Sequence, residues 1–213
     1  MERCELWVKI GRWYGEHLNH AEYGIQSLEK ALELNPESVS ALRELSNFQK
    51  RSESWHELAQ TQERLVQQEP EPERQTAVLL ELAGVQEQRL GDVPASVESY
   101  RRVLEIDSES TTALDALIRL HEQQQSWSEL VGVLDRRAAI ADDPDEGLRL
   151  RKHIGYVQEA NLGDNAAAVE TYKDILAQEP TDFDALQALE RLYLNGNQIP
   201  EYLEILEAEL DAT

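Results

Sequence analysis

The sequence predicts an all-α protein, an array of about twelve antiparallel helices stacked as a solenoid. Three observations predict it. Apolar residues recur at helical spacing along the chain, and no stretch alternates with the period of two that a strand requires. Ala, Leu, Glu, Gln and Arg dominate, all good helix formers. The chain also repeats itself at one fixed, long interval. Ala41, Ala113 and Ala185 align, as do Leu42, Leu114 and Leu186, then Leu45, Leu117 and Leu189. Leu32, Leu104 and Leu176 agree, and so do Leu18, Leu90 and Leu162. Three such units span nearly all 213 residues, which leaves no room for a separate domain. A fixed period of this kind is the signature of a repeat architecture, in which each unit buries its apolar face on its neighbours.

The elements follow in order. The segment "MERCELWVKIGRWYGEH" is charged and helical, unlike a signal peptide. Ile25, Leu28 and Leu32 mark the next helix, closed by "LNPES". Leu42, Leu45 and Phe48 mark the third. A short phrase then opens the fourth: "SWHEL" at 54–58, which returns as "SWSEL" at 126–130. Its spacing predicts a capping box. The Ser54 oxygen would accept from a first-turn N–H, and Glu57 would reach back to the N–H of Ser54; Ser126 and Glu129 repeat the pattern. Trp55 and Trp127 take the first helical position and pack with Leu58 and Leu130. The third copy reads "QIPEY", with Ile199 in place of Trp and Pro200 tolerated in the first turn. "EPEPE", "LGD", "DDPDEG", "EPTD" and "NGN" punctuate the remaining helices, and "LGD" occurs at both 90–92 and 162–164.

Composition excludes several function classes. The chain has 20 Lys+Arg against 42 Asp+Glu, a net charge of −22. Nucleic acid and anionic membrane surfaces both demand basic side chains, so neither is an expected partner. No run of 18 or more apolar residues offers a membrane span. With one cysteine, Cys4, the chain can form no internal disulfide and no cysteine-based zinc site. A reducing, cytoplasmic setting is the expectation.

No catalytic motif is present, neither a phosphate-binding loop nor a nucleophile elbow. His17 and His20, near Glu16 and Glu22, fall short of the four ligands of a structural zinc. His56, His121 and His153 are scattered and read as surface or interface residues. "DDPDEG" lacks the order of a calcium loop and reads as acidic residues before a helix start. No cofactor or metal is expected.

Several residues resemble the tetratricopeptide repeat family, whose unit is a helical hairpin of about 34 residues. Trp7, Ile10, Gly11 and Tyr14 match its first helix, and Gly24, Leu28, Ala31 and Pro36 its second. Ser96, Tyr100 and Val103, then Ala168, Tyr172, Ile175 and Pro180, keep the pattern. Even copies diverge, with Leu58 and Leu130 where a small residue is usual. The long interval of the chain is then two slightly lengthened hairpins. The resemblance implies a right-handed superhelix: one solenoid over 1–213, with repeats near 3–36, 37–70, 71–108, 109–144, 145–180 and 181–213. The apolar final helix points to a piece of a longer array.

The resemblance also implies a function. First helices of such repeats line a concave groove, so the chain reads as a non-enzymatic scaffold that binds a protein or peptide there. The inward positions are Arg43, Asn47 and Lys50, then Asp115, Arg119 and Glu122, then Gln187, Arg191 and Leu194. Four bases against two acids make this set net positive, and Asn47, Arg119 and Arg191 occupy the same position in the three units. The candidate partner-binding residues are therefore Arg43, Asn47, Lys50, Arg119 and Arg191, with Arg12 and Lys152 added from odd copies. Arginine's fork of donors suits carboxylates, so an acidic segment is the expected ligand. Solvated residues paired with nearby Glu are the competing reading of the same positions. The chaperone-tail clamp of some family members is not carried over, because Glu44 stands where it needs Asn. Two other functions stay open: a spacer that self-associates end to end through its terminal helices, and the regulatory arm of a larger enzyme.

Overall fold

A computed structural model describes residues 2–17 and 20–212 of the protein. Leu18, aligned above with Leu90 and Leu162, lies outside them. Among the described residues twelve α-helices make up the fold and there is no strand. They are α1 (Glu2–His17), α2 (Ala21–Leu34), α3 (Val39–Arg51), α4 (Trp55–Gln68), α5 (Pro72–Gln88) and α6 (Val93–Ile106). The series continues with α7 (Thr111–Gln124), α8 (Trp127–Ala139), α9 (Pro144–Tyr156), α10 (Asn165–Gln178), α11 (Phe183–Asn195) and α12 (Ile199–Ala212). A single π turn, Val157–Asn161, extends α9.

The helices fall into two compact units, Met1–Ala113 and Leu114–Thr213. In the first, α1–α2, α3–α4 and α5–α6 pack as hairpins, and α2–α3 and α4–α5 join them. Its core holds Leu28, Ala31, Leu42, Leu45, Phe48 and Leu65. In the second, Leu130, Leu134, Ile154 and Val157 form one cluster, with Ile118 and Trp127 against it. Tyr172, Ile175, Leu189, Leu192 and Tyr193 form another.

The repeat of the sequence is a record of burial. Ala41, Ala113 and Ala185, and Leu42, Leu114 and Leu186, are all fully buried. These are the positions where one helix seats on its neighbour, so side-chain volume is fixed there. The leucines at 58 and 130 are fully buried as well.

The turns carry the same period with two chemistries. Glu53, Gln125 and Asn197, equivalent positions in the three units, all have positive φ, at 57, 56 and 55°. Each closes a tight hairpin by the same pair of steps. The residue turns left-handed, and the next N–H reaches back five residues: Ser54 to the Gln49 carbonyl at 2.9 Å, Ser126 to His121 at 2.9 Å, Gln198 to Tyr193 at 2.9 Å. This geometry corrects the capping-box expectation. Neither Ser54 nor Ser126 makes a side-chain cap bond. The N–H that Glu57 or Glu129 would have taken is already bound to the preceding helix. The repeated phrase marks a two-helix corner in which one serine ends one helix and starts the next. Two further hairpins, α5–α6 and α9–α10, use glycine: Gly91 and Gly163 have φ of 67 and 68°. There Asp92 and Asp164 are working N-caps, accepting from Ala95 and Ala167 at 3.1 and 3.0 Å.

Candidate functional site

The candidate residues lie on first helices: Arg12 on α1, Arg43, Asn47 and Lys50 on α3, Arg119 on α7, Lys152 on α9 and Arg191 on α11. Arg43, Asn47 and Lys50 share one face because they are spaced by four and three residues.

In the first unit most of these cations bridge helices. Arg12 donates through Nε to Glu44 of α3 at 2.9 Å. Lys50 meets Glu81 of α5 at 2.6 Å. Lys50 and Glu81 are exposed, whereas a half-exposed Arg12 reaches a Glu44 whose side chain is 19% exposed. Arg43 differs. It binds Glu69, the residue that ends α4, whose side chain is only 1% exposed. Asn47 is exposed on the same face.

The second unit repeats the arrangement. Arg191 grips Glu159 of the π turn with two bonds, at 2.8 and 2.7 Å. Lys152 lies between Asp182 at 2.6 Å and Asp184 at 2.7 Å, at the start of α11. His153 approaches Glu122 of α7 at 3.4 Å. Asp115, which the family resemblance would turn inward, is held by Arg137 of α8 at 3.0 Å. Arg119 is exposed on α7.

These contacts set the local proton affinities. Burial pulls the Lys152 ammonium down, but the hydrogen bonds and charges of Asp182 and Asp184 outweigh it and leave the pKa above the ordinary lysine value. The Glu159 hydrogen bond raises Arg191 against a smaller opposing effect of burial. Burial, then the charge of Glu159, raises the Tyr172 phenol.

The structure brings Arg12 and Lys50 into one chain of pairs, α1 to α3 to α5, and Lys152 and Arg191 into another over α9 and α11. It assigns Arg43 to a buried carboxylate. Pairing with a nearby Glu, the competing reading of these positions, holds for Arg12, Arg43, Lys50 and Arg191, but the sequence did not say which acid serves which base. Glu44 follows Arg12, and Glu159 precedes Arg191, by the same separation of 32 residues. Glu81 follows Lys50 at nearly that separation. An offset close to one repeat length was the available signal. His121 proves buried, at 3% exposure. Asp143 accepts from the Asp145 N–H at 3.1 Å at the start of α9, as an acidic turn before a helix should. Among the described residues no three His, Cys, Asp or Glu gather as a metal site, and no helix is long and apolar enough to cross a membrane.

The tetratricopeptide repeat model matches residues 153–182, which cover α10 and the end of α9. The solved structure of MamA protein is similar at 15% identity and a TM-score of 0.51, covering 84% of this chain and 93% of that one. A tetratricopeptide repeat protein from Parabacteroides merdae ATCC 43184 is similar at 13% identity and a TM-score of 0.52, covering 100% and 81%. No curated protein sequence matches. At these identities the structural likeness shows the fold, and with the sequence match it supports the tetratricopeptide repeat family.

Proposed function

Because the chain carries the tetratricopeptide repeat fold, we propose that it is a non-enzymatic scaffold that receives an acidic segment of a partner protein along its first helices. The observation that carries this reading is, within each unit by itself, a set of first-helix cations held by carboxylates about one repeat away. Exposed pairs of this kind contribute about 0–1 kcal/mol each. A partner's carboxylate can therefore take the place of the exposed Glu81 at small cost, while the half-exposed Arg12 and Arg191 can receive it beside Glu44 and Glu159, which keep only 19% and 17% exposure. Arg43 stands apart, since leaving Glu69 would strand a buried charge. A cytoplasmic setting suits the single, buried Cys4.

The test is an affinity capture from an extract of the cells that make the protein, read by mass spectrometry. Arg191→Glu would set two carboxylates face to face at Glu159, so Arg119→Gln with Arg191→Gln is the better variant. Both proteins are first shown to be equally helical. A partner retained by the wild type and lost by the variant supports binding along the first helices. Equal recovery places the partner elsewhere and sinks the reading.

A further inference from the structure

The second unit contains a groove that the cation rows do not use. Its floor is α9 and its walls are α8 and α10, with a volume of about 550 Å³. It opens on a different face of α9 from Lys152 and His153. Val131 and Ile154 give it an apolar base, while Gly132 and Ala177 keep its walls low. A Cβ placed on Gly132 would meet nothing within 4 Å. No neighbouring atom requires a glycine there, and the missing side chain leaves the groove open.

Charge distinguishes this groove. Asp135 lines it from α8 and Asp174 from α10. Among the described residues neither carboxylate makes a hydrogen bond or an ion pair. Elsewhere in this unit Asp115, Glu122, Glu146, Glu159, Asp182 and Asp184 each meet a cationic side chain or histidine. Among the described residues Glu129 and Glu190 meet none either, so what sets Asp135 and Asp174 apart is that both line one groove. The one base on the lining, Arg151, donates to Gln178 at 2.5 Å. Both residues also line an adjoining cavity of about 240 Å³, to which Asp143, Asp145 and Glu179 add more negative charge.

We propose that this groove docks an extended, lysine- or arginine-bearing segment of a partner protein, with its cations between Asp135 and Asp174. Two carboxylates left without partners across an open cleft supply the complementary charge. From Arg151 to Gln158 the floor runs about 10 Å at helical rise. About three extended residues reach that far. A helix about 10 Å across would need roughly 800 Å³ over the same length, more than the groove holds. The site is independent of the acidic-segment reading and takes a ligand of opposite charge.

The experiment titrates the full chain into a fluorescein-labelled octapeptide of alternating Lys and Ala, followed by fluorescence polarisation at low salt. The control peptide alternates Glu and Ala. Three variants are compared after circular dichroism confirms their helicity. Asp135→Asn with Asp174→Asn removes the charges, and Gly132→Leu fills the groove without changing charge. Glu29→Gln with Glu33→Gln removes two exposed acids from α2 and controls for net charge. The expected result is saturable binding of the Lys peptide alone. That binding should weaken at least tenfold in both groove variants and less than twofold in the α2 variant. No binding, equal binding of the Glu peptide, or equal weakening by the α2 variant overturns the proposal. So does a Gly132→Leu protein that binds like the wild type.

Discussion

Among single side chains, two cations on the same face are expected to behave differently. Arg43→Ala strands Glu69, whose side chain is 1% exposed. Breaking a buried pair costs several kcal/mol, and the half-exposed arginine reduces that to about 2 kcal/mol. Arg12→Ala removes a more exposed pair and should cost less than about 1 kcal/mol. Urea denaturation of both variants checks the contrast. Sequence alone grouped these arginines because their helical positions are equivalent. What separates them is the burial of the carboxylate, and Glu69 looks like any turn glutamate until α4 and α5 pack over it. Lys152 gives a pH dependence. Its raised pKa means the folded state binds the proton more tightly than the unfolded state. Its contribution is therefore complete below about pH 10.4 and is lost as pH climbs through the folded value. Tyr172, also raised, acts in the same direction from about pH 10. Urea midpoints measured from pH 8 to 11 should fall at the alkaline end, and less steeply in Lys152→Met.

Helices and their corners show where packing overrules local rules. The serine of each repeated phrase satisfies the capping pattern, yet its N–H belongs to the helix before it. A capping rule treats one helix start alone, and here the corner is too short for the two ends to be separate. The corner holds Gln125 at positive φ, which costs a side-chain-bearing residue about 1–2 kcal/mol. Gln125→Gly relieves that cost but loosens the unfolded chain. The net expectation is a gain of about 0.5–1 kcal/mol, read as a higher urea midpoint. Glycines inside helices divide by what faces them. A Cβ on Gly15 would sit 2.1 Å from the Phe48 ring, whereas Gly132 faces open space. Gly15→Ala should destabilise by about 2 kcal/mol through overpacking. Gly132→Ala should stabilise by about 1 kcal/mol through helix propensity alone. Thermal melts of the pair would decide, and similar shifts in both would refute the assignment of Phe48 as the wedge. The helices themselves were readable in the sequence because a helical period survives every substitution that keeps a face apolar. The ion pairs were not, since they depend on which acid one repeat away faces which base.

For the molecule as a whole, the dominant fact is its charge of −22. Like charges repel across a compact surface and lower its stability. Salt screens that repulsion over about 10 Å at 0.1 M, and it also weakens the exposed pairs. Those pairs are few and contribute little, so repulsion should win. The melting temperature should rise between 20 and 200 mM NaCl, and a fall would mean that the pair networks outweigh the net charge. The candidate face was only partly readable at this scale. The excess of bases along first helices is a sequence property, while the open groove over α9 comes from three helices meeting around a glycine.

One tryptophan allows the two units to be observed separately. Trp7, Trp13 and Trp55 all belong to the first unit, and Trp127 alone to the second, packed against the Leu130 and Leu134 cluster. With the other three replaced by phenylalanine, the ultraviolet emission of the chain becomes an optical probe of residues 114–213 by themselves. A companion protein retaining only Trp55 reports on residues 1–113. Emission spectra collected along one denaturant series would then show whether the two halves lose their structure together or in turn.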